Sequence, residues 1–312
     1  MKKRLLSILA FSLLSPLASA RERGAGIALV QLPAATQAYI VESLRASRGA
    51  HSEAHAALEA LAIELPTVDA TRRGRFGPTG RSFMALAKVT PWPLVEALTA
   101  VDHRQAAWTD TAETAWMVGL LESLGKLADP KLAPVYEAIL QQGSSDRHVL
   151  RAAAFARARL SDKAGAAFLM EVVRRAGPMR EGVIAGLGQC RRADMAHFLA
   201  QLAAMETDRE VVASVIDALS DIGNAWVWPV LHPAARADEI EVRSVAAAAL
   251  VKLVGSPDFR IAELATNAAL VVDSADTAQF IAAERSDNPS AAVALGKLES
   301  RLNRRILETP IR

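Results

Sequence analysis

The chain of 312 residues has a single cysteine, Cys190, so no internal disulfide can form and packing alone must hold the fold. It lacks any uninterrupted apolar run of the ~20 residues that a bilayer-spanning helix requires. It contains no Gly-x-Ser-x-Gly nucleophile elbow and no His-Glu-x-x-His signature. Its carboxylates are scattered as helix caps and outer-face charges, which offers no paired-carboxylate site. An excess of one charge is missing too: 36 Lys+Arg stand against 34 Asp+Glu, and three of the cations lie within the first four residues. Without those three the net charge is −1, which excludes the basic footprint of a nucleic-acid binder. These absences point to a chain with no catalytic signature and no expected cofactor or metal.

What is present begins with an address. "MKKRLLSILAFSLLSPLASA" places Lys2, Lys3 and Arg4 ahead of the apolar stretch Leu5 to Leu14 and ends in Ala18-Ser19-Ala20. That order is a secretory signal peptide, with Pro16 breaking the apolar helix ahead of a cut between Ala20 and Arg21. The residue after the cut is not the cysteine that a lipoprotein would acylate. Arginine-rich, lysine-poor and alanine-rich usage suggests a GC-rich bacterial coding sequence, so the expected location is the periplasm or the medium. The remaining chain is long enough to bury roughly three quarters of its unfolded surface.

From Thr109 onward the chain repeats itself. "EVRSVAAAALVKLVGSPDFRIAELA" can be laid over "REVVASVIDALSDIGNAWVWPVLHPAA", "REGVIAGLGQCRRADMAHFLAQLA", "RHVLRAAAFARARLSDKAGAAFLMEVV" and "TAWMVGLLESLGKLADPKLAPVYEAIL". Equivalent positions fall at Leu124, Arg157, Leu187, Leu219 and Leu250, about 30 to 33 residues apart. A repeat of that length holds two helices of ~12 residues and two short turns. Asp146, Asp208 and Asp238 sit where a carboxylate caps the first helix of a pair. Pro130 and Pro257 suit the first turn of the second. The alanine run Ala246 to Ala249 lets helices approach closely, and each pair can bury its apolar stripe only against the next.

The segments "VRSVAAAALVKLVG", "VLRAAAFARARL" and "VIDALSDIGNAWVWPVL" resemble HEAT repeats of the short bacterial type, also found in phycobilisome bilin lyases. The resemblance covers roughly residues 109–281. It implies an all-α fold, an α-solenoid in which antiparallel helix pairs stack into a right-handed superhelix. Two departures stand out: Arg157 replaces the usual leucine at its landmark, and Pro178 shortens the start of the third repeat. Residues 21–108 read as a degenerate pair of repeats or a cap, with helices at "TQAYIVESLRAS" and "SEAHAALEALAIE" separated at Gly49, the second capped by Ser52. "TRRGRFGPTGRS" reads as a loop, followed by short helices at "SFMALAKV" and "PLVEALTAV". Residues 282–312 read as a capping helix from Pro289 and a tail.

Several residues carry candidate chemistry. Arg72, Arg73, Arg75 and Arg81 form a cationic loop that would suit an acidic partner or anionic headgroups, or simply be solvated. The glycines around them do not match a phosphate loop, because Arg75 and Arg81 replace its first glycine and its lysine. His51 and His55, with Glu53 between, suit a metal only if all share one helix face, and a cap at Ser52 excludes that. Cys190 is followed by Arg191 and Arg192, which would favour a thiolate, against the simpler reading of a structural thiol. Trp226 and Trp228 lie about 200° apart around a helix, so both cannot face one core. Trp228 takes a packing position and Trp226 an exposed turn, where its ring can anchor a partner or cover the neighbouring repeat.

The function expected from these readings is a periplasmic, non-catalytic scaffold. It would bind a protein or peptide on a concave face lined by the second helices, with Lys131, Glu137, Glu171, Arg174, Arg175 and His197 among the contacts. Two alternatives remain open. One is a lyase or maturation factor for a cofactor-bearing protein, suggested by the bilin-lyase resemblance. The other is an envelope-associated protein touching anionic lipid through the arginines at 72–81.

Overall fold

The computed structural model describes residues 27–71, 79–100 and 108–308, with no account of the side chains at 178, 234, 235 and 305–308. The leader with its cleavage site, and Arg72, Arg73, Arg75 and His103, lie outside the described residues. Among those described every regular element is helical, and no helix is long and apolar enough to cross a membrane.

The N-terminal region holds α1 (Ala34–Ala50), α2 (Ser52–Ala70), α3 (Thr79–Val89) and α4 (Trp92–Thr99). The break between α1 and α2 falls at His51 rather than Gly49, and Ser52 is the first helical residue with no cap made by its side chain. The expected loop at residues 71–82 ends sooner than its glycines suggest. Thr79 already begins α3, and its hydroxyl donates to the Ala115 carbonyl at 2.9 Å.

Next come α5 (Asp110–Leu127), α6 (Ala133–Gln142), α7 (Arg147–Ala158), α8 (Lys163–Arg175), α9 (Arg180–Gly186), α10 (Ala193–Met205) and α11 (Arg209–Gly223). The starts of α5, α7, α8 and α11 are set by side-chain caps, which satisfy amides that have no partner within the helix. Thr109 accepts from the Ala112 amide, Asp146 from His148, Asp162 from Gly165, and Asp208 from Glu210 and Val211. Ala128 and Gly143 adopt positive φ just past α5 and α6, the left-handed turn that stops a helix. The expected shortening of the third repeat is present. Gly177–Met179 is a 3-10 turn, and α9 has only seven residues before a second 3-10 turn at Leu187–Gln189.

The chain closes with α12 (Glu239–Val254), α13 (Phe259–Val272), α14 (Thr277–Asp287) and α15 (Ala292–Glu308). Two expectations are corrected here. Asp238 precedes α12 but does not cap it; its carboxylate accepts from the Ala193 amide at 3.0 Å and so closes the start of α10 instead. Pro257 stands before the first turn of α13, whose cap is Asp258. Residue 281, to which the repeat resemblance extends, lies within α14.

Packing sorts the helices into two rows. The odd-numbered helices from α3 to α15 each pack on the next odd one, and α6, α8, α10, α12 and α14 do the same along a second row. Residues 224–238 explain a shift of phase. Sequence periodicity expects the second helix of the fourth pair there, but the segment forms only 3-10 turns at Trp228–Val230 and Pro233–Arg236. Pro229 and Pro233 remove the amides that a longer helix would need. Consequently α12, which resembles a first helix in sequence, packs on α10 and occupies the second row, while α13 packs on α11.

All five landmark residues are buried, including Arg157, which is 3% exposed. Its Nε–H donates to Glu137 at 2.7 Å, and both terminal nitrogens donate to the Asp162 carboxylate. Gly165 leaves room for the guanidinium, since a Cβ there would lie 2.0 Å from Arg157 Nη1. Burial favours the neutral guanidine, but the hydrogen bonds to Asp162 and Glu137 outweigh it and hold Arg157 charged. The same bond holds the Asp162 carboxyl below the usual carboxylate range.

Close backbone approach recurs along the odd row. A Cβ at Gly182 would meet the Arg147 carbonyl at 2.6 Å, and one at Gly186 would meet the Arg151 carbonyl at 2.6 Å. At Gly125 the obstacle is the Ala156 backbone at 2.6 Å, and at Gly188 the Asp221 Cβ at 2.5 Å.

Two tests follow from this packing. Gly186→Ala is expected to lower unfolding free energy by about 1–3 kcal/mol, because a backbone carbonyl and not a flexible tip must move. Gly49→Ala, with nothing near its added methyl, is expected to leave urea stability unchanged or raise it by up to about 1 kcal/mol. Equal effects at the two sites would contradict the close-packing account. For Arg157 the sign follows from a depressed Asp162: its stabilisation is present above the ordinary carboxylate range and is lost as pH falls from about 5 downward. Arg157→Leu is expected to fold and to show a smaller acid-induced loss of stability than the parent in urea titrations. An unchanged pH profile would remove the ion pair from the account.

Candidate protein-binding surfaces

One edge of the molecule gathers the turns that follow the odd-row helices. Arg191 reaches from the turn after α9 to the end of α11, where Nη1 donates to the carbonyls of Asp221 at 2.5 Å and Ile222 at 2.8 Å. An arginine on the last carbonyls of a helix satisfies acceptors that would otherwise be orphaned and meets the negative end of the helix dipole. Arg243 does the same for α13, donating from Nε to the Val272 carbonyl at 3.2 Å and from Nη2 to that of Asp273. Burial of Arg191 favours its neutral form and pulls its pKa down to about 10, still far above neutrality.

Trp228 lies beneath this edge, fully buried, with its indole N–H donating to the Ile222 carbonyl at 3.0 Å. The Arg191 guanidinium sits over its ring, 5.6 Å from the centroid. Trp226 lies on the edge itself, 62% exposed, in the turn where the Asn224 side chain accepts its backbone amide. The opposite placements expected of the two tryptophans are therefore observed. Beside them Arg159, Ser161, Gln189, Arg192, Leu231 and Asp238 surround a cleft of about 370 Å³.

Cys190 also belongs to this edge but points inward. It is 1% exposed, and burial pushes its thiol up to about 12, with Asp194 opposing the help that Arg192 gives a thiolate. The reactive-thiolate option is overturned: Arg191 and Arg192 are committed elsewhere, Arg191 to helix carbonyls and Arg192 to the Asp194 carboxylate at 2.9 Å.

The remaining nominated residues divide by row. On the second row, Arg174 and Arg175 are exposed near the end of α8, both within 3.5 Å of Glu171. Arg174 also covers the Phe198 ring on α10, 5.5 Å from its centroid. His197 is exposed on α10 and meets Glu241 of α12 at 2.9 Å. Such exposed pairs contribute little each, so a partner can exchange them at small cost. Lys131 is exposed as well, whereas Glu137 is half-buried and less available. The Lys131 ammonium sits 4.5 Å above the Tyr39 ring, and Glu137 holds Arg157. Arg81 is exposed on α3, away from this group, and the other three arginines of its cluster lie outside the described residues.

The histidine pair does not form a metal site. His55 is hydrogen-bonded to Ser47 and Glu96, each at 3.1 Å, while His51 sits exposed between α1 and α2. Among the described residues no group of three or more His, Cys, Asp or Glu side chains is placed to hold a metal ion.

One surface went unnoticed in sequence. Gly182 and Gly186 let α9 sink against α7, and a polar cleft of about 450 Å³ opens between α7 and α11 above it. Arg147 and Glu181 face each other there at 3.3 Å, and Arg260 of α13 reaches Glu210 at 3.1 Å. The spacing of glycine and alanine at 182, 185 and 186 was the available signal.

Searches against protein-family models, curated proteins and solved structures found no match to this chain.

The thiol supplies a direct check. In native protein at pH 8, Cys190 is expected to react with a thiol reagent at least about 100-fold more slowly than in 6 M guanidinium, where one equivalent should appear. Rapid labelling of the folded chain would contradict its burial.

Proposed function

We propose that the chain is an exported HEAT-like α-solenoid, a non-catalytic scaffold that binds a protein or peptide partner. The observation that carries this reading is the packing in two rows, in which odd helices stack on odd and even on even. Such a file exposes far more side-chain surface per residue than a globule and commonly serves binding. The partner surface in this reading combines the second-row residues Arg174, Arg175 and His197 with Trp226 as the aromatic anchor. Arginine and tryptophan are the side chains that most often dominate protein–protein binding energy. Export rests on the leader, with the mature chain beginning at Arg21.

Affinity purification from periplasmic extract tests the reading with three baits: the parent chain, Trp226→Ala, and Arg174→Glu combined with Arg175→Glu. The expected result is a reproducible protein partner on the parent chain, recovered about tenfold less on either variant while circular dichroism stays unchanged. Equal recovery on all three baits, or no reproducible partner, would overturn it. N-terminal sequencing of the exported protein is expected to read Arg-Glu-Arg-Gly, and a cytosolic chain retaining its leader would remove the compartment from the proposal.

A further inference from the structure

The end of the odd row carries a surface unlike the polar clefts elsewhere. Between α13 and α15 runs a groove of about 710 Å³. On α13 it is lined by Phe259, Ala262 and Thr266, and on α15 by residues spaced as one helical face from Val293 to Arg304. Phe259 is 76% exposed and Val293 73%, a large aromatic and a branched aliphatic side chain that both line the groove. Beyond the apolar floor stand Lys297, Arg301 and Arg304, with Glu263 as the groove's single carboxylate. Arg301 donates to Asn267 at 3.0 Å, and among the described residues no carboxylate forms an ion pair with Lys297 or Arg304.

Gly296 supplies a further observation. It lies inside α15, where glycine costs about 1 kcal/mol relative to alanine, and a Cβ added there would meet nothing within 4 Å. Gly49 and Gly80 are equally open inside their helices, so the open space alone does not set Gly296 apart. What does is its place in the wall of the groove, where the missing side chain leaves room for an approaching helix.

We infer that this groove docks an amphipathic, acidic α-helix of a partner protein. Three features select that occupant. The lining face of α15 from 293 to 304 is about 17 Å long, roughly three helical turns. The apolar floor with its open glycine suits an i, i+3, i+4, i+7 stripe of small and aliphatic residues. The cationic rim complements carboxylates flanking that stripe. The site is separate from the Arg174 and Trp226 surface, so either proposal can fail alone.

The probe is a fluorescein-labelled 15-residue helical peptide with leucine and alanine on one face and glutamates on its flanks, titrated at low salt by anisotropy against the full mature chain. Saturable binding is expected, weakened about tenfold or more by Lys297→Glu with Arg304→Glu, and similarly by Gly296→Leu. Gly296→Leu fills open space in a helix, so its melting temperature should equal or exceed the parent's, and lost binding then reports the groove. Trp226→Ala should leave peptide binding unchanged. A peptide with lysines replacing the glutamates should bind at least about tenfold less. No binding of the acidic peptide, equal binding by the Gly296→Leu chain, or preferential capture of the chain by phosphatidylglycerol vesicles over the peptide would each overturn the inference.

Discussion

The close approach of helix backbones along the odd row is the constraint on which the rest of the molecule depends. Gly182 and Gly186 set α9 against the carbonyls of Arg147 and Arg151, and Gly125 and Gly188 repeat the contact one step to either side. Helices this near must bury small residues, which is why Ala152, Ala153, Ala154 and Ala156 of α7 are all inaccessible to water. Each alanine contributes little burial by itself. Stability therefore accumulates from many modest interfaces between consecutive helices, each conditional on its neighbour being in place.

That arrangement creates a second requirement, since stacking leaves helix ends lined up along one edge with their carbonyls facing outward. Arg191 and Arg243 answer it by reaching forward onto the ends of α11 and α13. The arginine beside Cys190 is thus a structural clamp, and its guanidinium covers the buried Trp228 ring. Arg157 plays a different part. It occupies a leucine position in the core, and its charge is tolerated because Glu137 and Asp162 reach it from α6 and the cap of α8.

The helical character, the buried landmark positions and the caps at Asp146 and Asp208 were legible in the sequence, because periodic burial and capping are local properties. The row exchange was not. Residues 224–238 align with a second helix in sequence, yet Pro229 and Pro233 deny it amides, and only packing reveals that α12 then moves to the other row. Asp238 stands where a local cap is expected, yet it serves α10 across 45 positions. The surface residues divided similarly: exposure of Trp226 followed from its spacing to Trp228, but the engagement of Lys131 by Tyr39 and of Glu137 by Arg157 required the third dimension. The groove of α13 and α15 was invisible because its floor joins two helices that the alignment did not pair.

The proposed function rests on shape more than on any single side chain: in a solenoid, helices in file would present long continuous faces of the kind a scaffold uses. Small-angle X-ray scattering of the mature chain in solution tests that shape most directly. A compact globule of this length would have a radius of gyration of about 19 Å. The account predicts a clearly larger value, with the skewed distance distribution of an elongated particle. A value of about 19 Å with a symmetric distribution would contradict stacking in file, and the scaffold reading would fall with it.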